Sequence, residues 1–476
     1  MESGQFICEK SLLASFLYNL LVIINKHDSF TSTCIEQIRV RFENSFKFTL
    51  SQGKTGEWSP VAFNHKLSYF FFLKRRSMSK NSILKKLALI AAGAMILPAF
   101  AAADIKMGII LGFTGPIESL TPDMGNSAEL AFKEASDSGQ LLGGQKISVV
   151  RADSTCIDAA AATAAAERLI TSDKVAGIMG ADCSGVTTAI ANNVAVPNGV
   201  TMISPSATSP ALSTIDDHGY FFRTAPSDAR QGQVLAEITM GRGFNDVAVT
   251  FINNDYGKGL SDSFINAYKG LGGKVSAVVP HEADKADFSA EVGTLDASGA
   301  SILAVFGYVD QGGNHIIQSS LDSGAFDKFI LADGMYGDTL LKNIDGDLSG
   351  TFGTVPGTDS KGAASFAEMA TGAGIKGGGP YTGESYDAAA LLVLAMQAGG
   401  STNRASIAAN VMAVANAPGE KIMPGELAKA LKILANGGEV DYVGATNVEM
   451  VGSGEASGSY KEFEVKGKAF TTVRFH

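Results

Sequence analysis

Cysteine, histidine and tryptophan are scarce in this chain, with four, six and one among 476 residues. The histidines are scattered, and His218, His281 and His315 lack metal-ligand spacing, so a histidine-built metal centre is not indicated. No Walker phosphate loop, G-x-S-x-G elbow or H-E-x-x-H motif occurs. Gly270-Leu271-Gly272-Gly273-Lys274 is glycine-rich, yet it closes a helical stretch rather than opening one, and reads as a C-cap and turn. Glu384 and Asp387 lie three apart near a helix start, where acidic residues ordinarily complement the helix dipole. The chain is therefore not read as an enzyme, and no cofactor is implied. After residue 104 no apolar run is long enough for a transmembrane segment, which argues against a receptor ectodomain.

Positive charge is also short. The formal charge is −10 and uneven: residues 1–103 hold 13 basic and 6 acidic side chains, leaving 25 basic and 42 acidic, a net of −17, on the rest. Such a body repels nucleic acid and anionic membrane surfaces, so neither is expected as a partner. A composition 45% hydrophobic and 18% charged is that of a globular protein rather than a disordered or fibrous one.

The N-terminal 103 residues read as two pieces. Residues 78–103 have the form of a secretory signal: Lys80, Lys85 and Lys86, an apolar run over 87–97, and the cleavage pattern Ala99-Phe100-Ala101. No cysteine follows the cleavage pattern, so a lipid anchor is not indicated. A signal stands at a chain start, and Met78 immediately precedes this one. Residues 1–77 are accordingly an extension of uncertain origin, the alternative being a membrane-directed leader. Cys156 and Cys183 are the two cysteines of the exported body. An even pair in that setting reads as a disulfide, the alternative being two buried thiols.

From Asp104 onward, short apolar strands alternate with helices. Strands are expected at 106–111, 146–152, 175–179, 200–204 and 220–224, with helices at 126–138, 158–171 and 184–193 between them. The pattern restarts with strands at 246–252, 274–279, 301–306 and 328–331 and helices at 231–240, 259–271, 287–295 and 314–323. Apolar strands separated by helices imply parallel sheets in right-handed crossovers, and two series imply two α/β lobes. The last third is mostly helical and ends in strand-like alternation, and glycine-rich 372–379 reads as a solvent loop.

The motifs along this body resemble the type I periplasmic solute-binding family, in particular its leucine/isoleucine/valine-binding branch. Asp104-Ile105-Lys106 leads a strand into Gly112-Phe113-Thr114-Gly115-Pro116. Ala152-Asp153-Ser154-Thr155-Cys156, Cys183-Ser184, Ser204-Pro205-Ser206-Ala207-Thr208-Ser209-Pro210, Phe222-Arg223-Thr224 and Asp255-Tyr256-Gly257-Lys258-Gly259 then follow in order. The resemblance covers about residues 104–476. It implies two doubly wound parallel-sheet lobes joined by a three-strand hinge, with crossings near 224–227, 354–358 and 443–447. The first lobe is then 104–224 plus 356–444, and the second 225–355 plus 445–476. It further implies an extracytoplasmic, periplasmic protein that captures an amino acid, branched-chain or similar, and delivers it to an ABC permease by hinge closure. An amide- or small-solute-sensing protein of the same fold is the alternative.

Ligands of open α/β sheets sit beyond the carboxyl ends of strands. Ser184 opens a helix after one strand, and Ser206, Ala207 and Thr208 lie in the loop after the next. By the resemblance these hold an amino acid's carboxylate and amino group; by position alone Ser184 and Thr208 are ordinary cap or turn residues. Asp333 follows a strand of the second lobe, where the family commonly carries Glu before Gly. The shorter Asp333-Gly334 leaves the ligand's identity open, and an Asp before Gly also stabilises turns. Tyr256 and Tyr308 match positions that contact ligand from that lobe, and Tyr386 is expected to help wall the site, with core packing as the alternative for each. Leu120 stands where family members often present an aromatic ring.

Overall fold

The computed structural model describes residues 104–476 and, before them, only an antiparallel pairing of Ser51–Gln52 with Trp58–Ser59. The signal reading at 78–103 lies outside the described residues.

The first series comprises β1 (Ile105–Leu111), α1 (Thr121–Asp137), β2 (Ile147–Asp153), α2 (Ala159–Glu167), β3 (Gly177–Gly180), α3 (Ser184–Ile190), β4 (Thr201–Ser204) and β5 (Phe221–Arg223). The second comprises α4 (Asp228–Gly241), β6 (Asp246–Ile252), α5 (Asp255–Gly270), β7 (Lys274–His281), α6 (Ser289–Asp296), β8 (Leu303–Phe306), α7 (Gly313–Ser323), β9 (Phe329–Leu331), α8 (Asp338–Asn343) and β10 (Phe352–Pro356). The remainder runs through α9 (Lys361–Gly372), α10 (Thr382–Ala398), α11 (Arg404–Ala415), β11 (Glu420–Ile422), α12 (Leu427–Ala435), β12 (Val440–Tyr442), β13 (Met450–Val451), β14 (Glu455–Ala456), β15 (Tyr460–Lys466) and β16 (Ala469–Phe475).

Two seven-stranded sheets result. Their orders are β13-β14-β5-β4-β3-β1-β2 and β16-β15-β10-β9-β8-β6-β7. Each sheet is parallel across its five strands of strand-helix alternation, and the antiparallel pairings are β13 with β14, β10 with β15, and β15 with β16. In both sheets the chain starts in the middle, steps to the edge and then crosses to the other side. The reversal falls between β1 and β3 in the first sheet and between β6 and β8 in the second. Loops leaving the carboxyl ends of strands at such a reversal splay apart and leave a crevice. Buried apolar strands explain why these sheets are parallel: β3, β4, β8 and β9 expose no residue, so helices cover both faces. On the first sheet that cover includes α10, whose residues Ala388–Met396 are all fully buried. A helix apolar on every side belongs in a core.

Some boundaries differ from the sequence reading. Helix α1 begins at Thr121, five residues before the expected 126, because Pro122 occupies the first turn, where its missing N–H costs nothing. Strand β10 extends to Pro356 through pairing with β15, so the second crossing is pushed to 357–360. The third crossing was expected at 443–447 and lies instead at 457–459: β13 pairs with β14, and β14 joins the first sheet through Glu455 and Arg223. Residues 445–456 thus extend the first sheet rather than the second.

The three crossings brace one another. The Gly357 amide donates to the Ser459 carbonyl at 3.0 Å, and the Ser459 hydroxyl returns to the Gly357 carbonyl at 2.9 Å. The Tyr460 hydroxyl donates to the Ser227 carbonyl at 3.0 Å. Gly458 has φ +59°, and a Cβ there would sit 2.4 Å from Pro226, so glycine is required on both counts. Among the described residues no helix is long and apolar enough to cross a membrane.

Candidate functional site

The carboxyl ends of β1, β3 and β4 face those of β6, β8 and β9 across one cavity. Ile117, Leu120 and Met124 come from the segment after β1, Asp182, Cys183 and Ser184 from the β3–α3 junction, and Ser206 from the loop after β4. Tyr256, Tyr308, Asp333 and Gly334 face them from the second sheet, and Tyr381 closes the space from the start of α10. The empty space within it, including solvent at its mouth, is about 350 Å³.

Asp182 organises the first wall. Its carboxylate accepts the Gly112 amide at 2.6 Å, the Cys183 amide at 2.9 Å and the Ser154 hydroxyl at 3.0 Å. One side chain thereby fixes the ends of β1 and β2 and the entry to α3. Burial raises its pKa, and the donated hydrogen bonds oppose the rise. The Cys156–Cys183 disulfide, with Cα atoms 5.1 Å apart, ties the loop after β2 to the same junction. Above this support the Ser184 hydroxyl accepts the Ser209 amide at 3.1 Å, and the Ser206 hydroxyl donates to the Asp182 carbonyl at 3.1 Å. The Ala207 amide is held by the Ser204 hydroxyl at 2.9 Å.

The second wall carries the charge. Asp333, 3% exposed, begins a short 3₁₀ turn after β9. Tyr256 donates to its Oδ1 at 3.0 Å and Tyr381 to its Oδ2 at 2.6 Å. Burial pushes the Asp333 carboxyl up, and the tyrosine hydroxyls pull it back. Gly334 is needed here, since a Cβ would lie 2.5 Å from the Gly307 carbonyl and 2.9 Å from the Tyr256 hydroxyl. The Tyr256 and Tyr308 rings stack with centroids 5.2 Å apart, and Asn254 bonds the Tyr308 hydroxyl at 3.3 Å. Asp310, after β8, accepts the Ser119 amide at 2.8 Å, and its own amide donates to Pro116 at 3.1 Å. These contacts and the Tyr381–Asp333 bond join the two walls.

The structure brings Ser184, Ser206, Tyr256, Tyr308 and Asp333 onto the same cavity. Ala207 and Thr208 are fully buried just behind Ser206. Tyr386 is placed elsewhere, which corrects its expected place on the wall. It lies in the core of the first lobe, against Phe366, donating to Glu134 and accepting the Gly425 amide at 3.3 Å. One turn of α10 separates it from the cavity. Tyr381, which does reach Asp333, was missed: it follows the glycine-rich stretch read as a solvent loop, and its φ of +60° leaves no trace in residue spacing. Asp182 was also missed, although an acid directly after an apolar strand and before a helix was a visible signal.

An arrangement with hydroxyls and a donor-saturated Asp182 on one side, a tyrosine-held carboxyl on the other and aliphatic groups beside them can take a small polar molecule with an apolar part. Residues 104–427 match the family model described as periplasmic binding protein. The chain is similar to the Leu/Ile/Val-binding protein homolog 1 of Brucella abortus, 30% identical over 312 residues that cover 64% of this chain and 81% of the relative. It is 29% identical over 338 residues to an amino acid binding protein of Pseudomonas aeruginosa, covering 70% of this chain and 88% of that protein. Among solved structures, leucine binding protein LivK of Thermotoga maritima superposes with a TM-score of 0.64 at 23% identity, covering 78% of this chain and 98% of that one. An ABC transporter solute binding protein of R. palustris in complex with 4-hydroxybenzoate has a TM-score of 0.64 at 19% identity, covering 78% and 97%. At these identities the two structures establish the shared two-lobed fold.

Proposed function

Because the chain belongs to the periplasmic binding protein family, we propose that it captures a free amino acid, branched-chain or similar, outside the cytoplasm and delivers it to an ABC permease by hinge closure. The observation that carries this reading is the position of Asp333 across one cavity from Ser184 and Ser206. A carboxylate ligand group finds the Ser184 hydroxyl as a donor on the first wall, and an ammonium finds an anionic acceptor on the second. Ile117, Leu120 and Met124 offer an apolar surface to the side chain. Bracing at the crossings leaves short segments about which the lobes turn, and the ligand favours the closed form by touching both walls.

A second reading rests on the same carboxyl. A protonated Asp333 donates a hydrogen bond, which suits a neutral amide. A thermal-shift screen separates the two, because a ligand bound only by the folded protein raises its melting temperature. Leucine, isoleucine and valine are expected to raise it, and acetamide to leave it unchanged. A rise with amides alone would contradict the amino-acid reading.

A further inference from the structure

Arg223 ends β5, immediately before the first crossing, and is only 1% exposed. A buried guanidinium is costly unless its N–H groups are matched, and for stability alone apolar packing often serves as well. Here both terminal nitrogens are matched. Nη1 donates to the Ala207 carbonyl at 3.0 Å and to the Ser209 carbonyl at 2.9 Å. Nη2 donates to the Ser213 hydroxyl at 2.8 Å and to the Glu455 carboxylate, and the Ser213 hydroxyl itself donates to that carboxylate at 2.6 Å.

The two nitrogens serve different parts of the fold. Nη1 curls residues 207–209, in the loop after β4, around a single atom. Nη2 reaches Glu455 on β14, the strand that runs into the third crossing, and the Arg223 amide donates to the neighbouring Gly454 carbonyl at 2.9 Å. The loop is thereby tied to two of the three chain segments that lead into the other lobe.

From the loop the chain of contacts continues to the cavity. Ser209, whose carbonyl rests on Arg223, donates its amide to the Ser184 hydroxyl at 3.1 Å. A hydroxyl that accepts in this way keeps its own proton for another partner, and Ser184 lines the cavity. Ser206, which also lines it, directly precedes the held Ala207. Arg223 itself does not line the cavity. A lysine would keep the charge opposite Glu455, but its single nitrogen cannot hold the partners of Nη1 and Nη2 together.

We propose that Arg223 is a positioning residue for the ligand site: it fixes the loop that sets Ser184 and Ser206, and through Glu455 it ties that loop to the segments about which the lobes turn. The inference rests on the amino-acid reading above. It gives the buried cation a role that stability alone does not require.

The test uses the full chain and L-leucine calorimetry, with wild type, Arg223→Lys, Ser184→Ala and the double variant. Arg223→Lys is expected to weaken leucine about tenfold, but only about threefold when Ser184 is already alanine, because much of the effect passes through that hydroxyl. A purely structural Arg223 would give the same loss in both backgrounds. Glu455→Ala, which frees Nη2 and Ser213, is expected to weaken leucine about threefold, and Glu455→Gln, which keeps an acceptor for both, to restore it. Should Arg223→Lys not fold, this pair reads the same contacts from their far end, and equal affinity in wild type and Glu455→Ala would then overturn the proposal. Hydrogen exchange on ligand-free protein supplies a readout that needs no leucine. The Ser209 amide is expected to exchange about tenfold faster in Arg223→Lys, with the amides of β8 in the other lobe unchanged. If leucine fails to bind wild type, the amino-acid reading falls while the exchange still judges the link. Unchanged exchange at Ser209, or an equal loss of affinity with and without the Ser184 hydroxyl, would overturn the proposal.

Discussion

The two walls of the cleft are stabilised in different ways. On the first wall the polar groups are already occupied: Asp182 gathers three donors, Ser204 holds Ala207, and a disulfide locks the Cys183 junction beside Ser184. On the second wall the main feature is a buried acid steadied by two tyrosine hydroxyls. The first wall is largely self-supported and keeps the Ser184 hydroxyl proton to offer, whereas the second presents a buried carboxyl to a cation. A ligand that completes the second wall while matching the first favours closure, because neither wall alone supplies both kinds of partner.

Substitutions should separate the walls. The largest loss of binding is expected on the charged side. Asp333→Ala removes the acceptor for an ammonium and should weaken L-leucine binding by about 2–5 kcal/mol, read by calorimetry. An unchanged affinity would move the ammonium site elsewhere. On the first wall, replacing both Cys156 and Cys183 with alanine opens a loop with a sequence separation of 27 and should cost about 3–4 kcal/mol of stability in denaturant melts. Its effect on leucine affinity should be smaller than that of Asp333→Ala, and a larger one would show that the first wall is not self-supporting.

A smaller effect is expected from Tyr386→Phe. It leaves a half-buried Glu134 oxygen and the Gly425 amide without the tyrosine hydroxyl, at a cost of about 1 kcal/mol in stability, with leucine affinity unchanged. Loss of affinity without loss of stability would return Tyr386 to the site. The smallest effect concerns pH. Burial raises Glu384 from 4.5 to about 8. It therefore holds a proton in the fold that the unfolded chain loses near its ordinary value, and its stabilising contribution is present at low pH and lost as pH rises through about 8. Glu384→Gln should flatten the melting temperature between those limits and raise it at the upper one. A slope unchanged by the substitution would place the proton on another group.

Much of this was legible in the sequence. Period and punctuation located the strands of both series, and a strand followed at once by Ser184, Ser206 or Asp333 put those side chains at carboxyl ends, where a doubly wound sheet opens. What escaped was set by distant contacts. β13 and β14 are two residues each and join the first sheet through Glu455 opposite Arg223, a pairing that residue pattern cannot register, so the third crossing was placed too early. Tyr381 precedes α10 and Tyr386 lies within it on a different side, and the left-handed backbone at Tyr381 has no signature in residue pattern.

The central claim is that a zwitterion is held at both poles, its ammonium on the wall that contains Asp333. Calorimetry of L-leucine against 4-methylpentanoic acid, which has the same carbon skeleton and carboxylate but no ammonium, tests it most directly. The account predicts an affinity for the acid weaker by about two orders of magnitude or more, the loss that follows when a buried charged acceptor is left without its partner. Equal affinity for the two would contradict it.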